Sequence, residues 1–124
     1  MSRILIVDDT AFIRAILRML LQELGHEVIG EASNGQEAIS LYKRLRPDLV
    51  TMDITMPELD GVAAVRGIRQ QDTRAKIVMC SALGQKEQVI RALKAGAGDF
   101  IVKPIQADRM KQSIDRLLGI QTQT

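Results

Sequence analysis

Five short apolar runs punctuate the chain, and between them apolar residues recur at helical spacing. The runs predict strands over 3–7, 27–32, 49–52, 75–80 and 99–102. The intervening stretches predict helices over 11–24, from about 34 to the turn at Pro47, and over 62–70, 86–95 and 107–118. Strand and helix alternating five times is the signature of successive βα units, so the expected fold is α/β, a (βα)5 doubly wound five-stranded parallel sheet. The first helix places Ile13, Ile16, Leu17, Leu20 and Leu24 on one stripe, with Arg14, Arg18 and Gln22 turned to solvent and Gly25 as its stop. Ser33 or Asn34 caps the second helix, Gln36 stands at capping-box spacing from Ser33, and Lys43, Arg44 and Arg46 complement its carboxyl end. The second strand carries Glu27, Gly30 and Glu31 and suits a sheet edge, whereas the strongly apolar third strand suits the centre.

Four of the runs end on polar residues of related chemistry: Asp8 and Asp9, Asp53, Ser81, and Lys103. In a parallel sheet these strand ends share one edge, and open α/β sheets bind ligands there. With 124 residues, 46% hydrophobic and 26% charged, the chain is expected to form a single domain over 1–120 followed by a polar, frayed tail at 121–124. No apolar stretch approaches the roughly 20 residues of a membrane helix and no signal-peptide core precedes Asp8, which predicts a cytoplasmic protein without a membrane partner. Cys80 is the single cysteine and excludes an internal disulfide; its apolar surroundings predict a buried filler. The net charge is +2 and the basic residues are dispersed from Arg3 to Arg116, so nucleic acid is not an expected partner. His26 has no second ligand nearby and is read as a residue at a strand start instead of a metal ligand.

One aspartate after the first strand would suffice as a helix cap, but two beside a third repel one another and require a compensating cation. Carboxylates, a backbone carbonyl and waters are the donors Mg²⁺ accepts. No G-x-x-x-x-G-K-[ST] stretch or glycine-rich turn follows the first strand, which argues against nucleotide cradles, and the acidity there argues against a flavin phosphate. Asp53 has the position of a nucleophile able to form an acyl phosphate, and Lys103 could neutralise charge on the opposite side. The plainer roles are a turn residue for Asp53, a helix cap for Ser81 and a lysine reaching to water for Lys103. Pro104 forces a turn and suits a cis bond.

These residues resemble the receiver domain of response regulators over essentially the whole chain. The resemblance is carried in order by Ile6-Val7-Asp8-Asp9, Met52-Asp53-Ile54-Thr55-Met56-Pro57 with Asp60-Gly61, Cys80-Ser81-Ala82, and Ala95-Gly96-Ala97 through Lys103-Pro104. It implies the flavodoxin-like strand order 2-1-3-4-5. It further implies that Asp53 accepts a phosphoryl group from a phosphohistidine on a partner kinase. Asp9, Asp53 and the Thr55 carbonyl would ligate Mg²⁺, with Asp8 helping through water. Ser81 would contact the phosphoryl oxygens, Lys103 would pair with them, and Phe100 would be the switch aromatic that turns inward with Ser81. Phe100 stands where the family often has Tyr, so a readout through a phenolic hydroxyl is absent. Thr55 and Leu83 lie where the family tunes dephosphorylation.

The length and the segment from Thr51 to Pro57 are most similar to stand-alone chemotaxis regulators. The implied partners are a chemotaxis histidine kinase, the flagellar motor switch protein and a phosphatase, acting on a monomer. Lys86, Arg91, Lys94, Lys111 and Arg116 populate the fourth and fifth helices, which predicts docking of an acidic partner segment there, each residue singly being equally compatible with a solvated face. Two alternatives remain: a receiver in a phosphorelay or transcriptional pathway, and an aspartate-nucleophile phosphatase. The latter usually carries D-x-D, and Asp53-Ile54-Thr55 lacks the second acid.

Overall fold

The computed structural model describes residues 1–120; the expected tail at 121–124 lies outside them. Strands β1 (Arg3–Val7), β2 (Glu27–Ala32), β3 (Leu49–Asp53), β4 (Ile77–Ser81) and β5 (Asp99–Val102) alternate with helices α1 (Ala11–Glu23), α2 (Gly35–Leu45), α3 (Gly61–Gln71), α4 (Lys86–Ala95) and α5 (Ala107–Leu118). All strands are parallel, in the order β2-β1-β3-β4-β5. The predicted fold, the edge position of the second strand and the central position of the third are therefore all present.

Alternation along each strand divides the core into two. Leu5, Val7, Val50, Met52, Ile77 and Met79 face one side and pack with Ala38, Tyr42, Val65, Ile68 and Ala92 of α2, α3 and α4. Ile4, Ile6, Leu49, Val78 and Ile101 face the other and pack with Leu17, Leu21, Met110 and Ile114 of α1 and α5. Both faces of the inner strands are covered, which is why those strands read as unbroken apolar runs. Truncating a fully buried member such as Ile6 or Ile68 to Ala would cost about 2–5 kcal/mol.

Several local expectations are corrected. The buried stripe of α1 is Leu17 and Leu21, flanked by half-buried Ile13, Leu20 and Leu24; Ile16 is 40% exposed and shares the outer surface with Phe12 and Met19. Arg14 and Arg18 are not turned to solvent: their guanidinium groups close on Glu31 of the edge strand at 2.9 and 2.6 Å. The cap of α2 is Asn34, whose side chain accepts from the Glu37 amide, and Glu37 instead of Gln36 reaches back to the Ser33 amide and hydroxyl at 2.8 and 2.6 Å. That arrangement also places a carboxylate at the positive end of the helix. Strand β4 starts at Ile77, not at residue 75, and includes Ser81. Arg3 spans from β1 to the carboxyl end of α2, donating to the carbonyl oxygens of Arg46 and Leu45 at 2.9 and 2.8 Å.

Candidate functional site

The carboxyl ends of β1, β3, β4 and β5 converge as the parallel arrangement requires. The Asp8 amide donates to the Ala32 carbonyl, Ile54 to Cys80 and Lys103 to Ser81, so the strand ladders run on to the residues that carry the site. Gly61, at the start of α3, lies against the backbone of Asp53; a Cβ there would collide with the Asp53 carbonyl oxygen, and only glycine lets α3 begin so close. Asp60 caps that helix by accepting from the Ala63 amide at 2.9 Å.

Asp8, Asp9 and Asp53 each bring one carboxylate oxygen to within 4.8 Å of the others. Asp8 is 1% and Asp53 7% exposed, while Asp9 faces solvent. Lys103 Nζ stands between the two buried carboxylates, 3.1 Å from Asp8 Oδ2 and 3.3 Å from Asp53 Oδ1. The remaining oxygen of Asp8 accepts from the Thr10 amide at 2.9 Å, and the Asp8 carbonyl accepts from Arg14 Nη1 at 2.7 Å. Asp8 is thus anchored on the backbone side, and Thr10 takes the N-cap position of α1 in its place. The Lys103-Pro104 peptide is cis.

Burial and the neighbouring Asp8 push the Asp53 carboxyl up to about 6, against the opposing pull of Lys103. Burial works against the Lys103 ammonium too, but Asp53 and Asp8 outweigh it and raise its pKa. Lys103 is therefore a fixed cation paired at this edge, not a side chain reaching to water. Burial drives the Cys80 thiol up to about 12, which fits its reading as an inert core residue. One cation serving three carboxylates leaves an electrostatic deficit, and an all-oxygen donor set with an exposed member suits a hard divalent ion.

Ser81 is buried at the end of β4 and does not cap α4, whose N-cap is Gln85. Thr55 and Leu83 lie on the two loops at the rim, both exposed. Beside them Leu83, Val89, Ile90, Leu93, Phe100 and Val102 line an apolar groove of about 350 Å³, and Phe100 is part-exposed along it. Lys86, Arg91 and Lys94 on α4 are exposed and make no ion pair among the described residues. Lys111 is instead paired with Asp115 at 2.7 Å, and Arg116 with Asp99 at 3.0 Å. Sequence reasoning missed the supports of the site, Arg14, Gln85, and Arg109, which holds Asp99 and the Phe100 carbonyl. The i,i+4 spacing of Arg14 and Arg18 opposite an acidic edge strand was the one available signal for the first of these.

A buried aspartate at the end of the central strand, two acidic neighbours and a lysine just after the last strand form one polar edge on a doubly wound parallel sheet of order 2-1-3-4-5. Residues 4–115 match the response regulator receiver domain, and the chain belongs to that family. Chemotaxis protein CheY of Bacillus subtilis is 56% identical over 117 residues, covering 94% of this chain and 98% of that protein. Its counterpart in Thermotoga maritima is 53% identical over 116 residues, covering 94% and 97%. Among solved structures, the CheX-CheY-BeF3-Mg²⁺ complex from Borrelia burgdorferi superposes with a TM-score of 0.88 at 36% identity, covering 94% of this chain and 88% of that one. The chain is a receiver domain of the CheY-type chemotaxis response regulators.

Proposed function

We propose that residues 1–120 form a single-domain cytoplasmic response regulator. It takes a phosphoryl group onto Asp53 from the phosphohistidine of a chemotaxis histidine kinase and then binds the flagellar motor switch to control rotation. The observation that carries this reading is the buried Asp53 carboxylate at the end of β3, held between Asp8 and Lys103 Nζ. With its pKa at about 6 the carboxylate is mainly ionised at neutral pH, as a nucleophile must be. An Asp53 oxygen bonds to phosphorus as the phosphorus–nitrogen bond of the donor breaks, its electron pair passing to the departing imidazole. Asp9, Asp53 and the Thr55 carbonyl would hold Mg²⁺, with Asp8 assisting through water. Bound there, the ion supplies charge neutralisation at the phosphoryl oxygens.

The chain's own groups complete the reaction. Lys103 moves its pairing from the Asp53 carboxylate to the phosphoryl oxygens, and the Ser81 hydroxyl donates to another. Phe100 then turns into the adjoining apolar groove, coupling a local charge change to the shape of the α4-β5 surface. Thr55 and Leu83, at the rim, set how easily water and a phosphatase reach the acyl phosphate.

The test is incubation with acetyl phosphate and Mg²⁺ followed by intact-mass measurement. Wild-type protein should gain one phosphoryl group, and both Asp53→Asn and excess EDTA should abolish the gain. An adduct that persists in Asp53→Asn would sink the assignment.

A further inference from the structure

Two loops follow the strands that end at the Asp53 site, residues 54–60 after β3 and 82–85 after β4, and one side chain joins them. Gln85 Oε1 accepts from the Ala82 amide at 2.8 Å, and Gln85 Nε2 donates to Thr55 Oγ1 at 2.5 Å. Gln85 occupies the N-cap position of α4 yet gives that helix no side-chain cap. Its hydrogen bonds are committed between the two loops instead.

The Ala82 amide directly follows Ser81. A phosphoryl group on Asp53 presents three oxygen acceptors, more than Lys103 and the Ser81 hydroxyl satisfy with one bond each. The next donor along the chain on the β4 side is the Ala82 N–H, which Gln85 already engages. Thr55, whose hydroxyl Gln85 also holds, lies two residues beyond Asp53. We propose that Gln85 is a latch, a positioning residue that fixes both loops in their resting arrangement and must let go of Ala82 when Asp53 carries a phosphoryl group. The proposal rests on the reading of Asp53 as the acceptor. It places part of the on–off balance in a side chain that hydrogen-bonds to neither Asp53 nor Lys103 and that meets Thr55 at its hydroxyl, not at the carbonyl proposed to hold Mg²⁺.

Both bonds stabilise the resting state selectively, so removing them shifts the balance towards the occupied state by about fivefold to tenfold. The experiment is a titration with beryllofluoride, a tetrahedral anion that takes the place of a phosphoryl group on a carboxylate, in Mg²⁺ buffer and followed by ¹⁹F NMR. Gln85→Met keeps the side-chain length and removes both bonds; its half-saturating concentration should fall about fivefold or more. Thr55→Val leaves the backbone carbonyl in place and removes one bond, so its midpoint should fall by less, roughly twofold. The effect of Gln85→Met should then be smaller in the Thr55→Val background than in wild type.

A merely structural role for Gln85 would lower the melting temperature and leave the midpoint where it is. An unchanged or raised midpoint in Gln85→Met, or full additivity with Thr55→Val, overturns the latch. Wild-type protein that fails to bind beryllofluoride at all would instead count against Asp53 as the acceptor.

Discussion

Asp53 is held in a conflict that its strand position creates: the end of β3 is buried enough to penalise a charge, and Asp8 adds repulsion that Lys103 only partly relieves. Its folded-state pKa of about 6 lies above the ordinary value of 3.8. Between these two pH values the native state binds more protons than the unfolded chain, so stability falls as pH rises through the window and levels off above it. The cost of the ionised site at neutral pH is on the order of 2–3 kcal/mol in the absence of divalent ions. Asp99 behaves oppositely: burial lifts it, but Arg109, Arg116 and the Phe100 amide hold it down at about 2, so its contribution is intact above pH 4 and lost only as pH falls towards 2. Urea denaturation of wild type in EDTA should therefore show higher stability at pH 4.5 than at pH 7, and Asp53→Asn should remove most of that difference while raising stability at pH 7. An identical pH profile in both proteins would show that Asp53 carries no such strain. The same strain is what an arriving cation relieves, which links the stability of this residue to its chemistry.

At the level of elements, the contacts that matter most for the site are those that cross between elements. Glu31 of edge strand β2 receives Arg14 and Arg18 from successive turns of α1, and Arg14 also reaches the Asp8 carbonyl, so one ion-pair cluster fixes both the edge strand and the loop that carries the acidic pair. The guanidinium hydrogen bonds depress the Glu31 pKa in spite of its partial burial. Glu31→Ala should cost about 1 kcal/mol, between the values for surface pairs and for charge-assisted bonds. The neighbouring Glu27→Ala, exposed at the strand start, should stay within about 0.5 kcal/mol of wild type. Equal effects in the two variants, read from chemical denaturation at pH 7, would remove the cluster's claim to a structural role. The sequence carried only one signal for this cluster, the i,i+4 spacing of Arg14 and Arg18, because each of the three residues alone looks satisfied by water; the packing angle of α1 on the sheet is what brings both arginines to Glu31. The same angle decides the buried stripe. Periodicity placed Ile13, Leu17, Leu20 and Leu24 on the covered side correctly, but it also admitted Ile16, which lies on the outer row with Phe12 and Met19, and left out Leu21, which is buried.

Across the whole molecule, the sheet and its carboxyl edge were readable because short apolar runs alternating five times with helical stretches mark successive βα units, and parallel strands must bring their final residues to one side. Asp8, Asp53, Ser81 and Lys103 meet there for that reason, whereas Gln85 escaped notice because a glutamine in a loop has no periodic signature. The distribution of surface charge was also only half legible. Five cations on α4 and α5 were expected to act together, yet Lys111 and Arg116 are tied to Asp115 and Asp99, leaving Lys86, Arg91 and Lys94 of α4 without an ion partner among the described residues. The proposed docking of an acidic partner segment should therefore depend mainly on α4, beside the apolar groove that Phe100 borders. For a synthetic peptide carrying that acidic segment, Lys86→Glu combined with Lys94→Glu should weaken binding to the phosphorylated protein by about tenfold at low salt, with the loss shrinking as ionic strength rises. Reversing Lys111 and Arg116 should chiefly lower the melting temperature, since it sets like charges against Asp115 and Asp99, and should leave the salt dependence of peptide binding close to that of wild type. Fluorescence anisotropy with the labelled peptide distinguishes the two outcomes. A larger affinity loss from the α5 pair than from the α4 pair would move the partner's contact to α5.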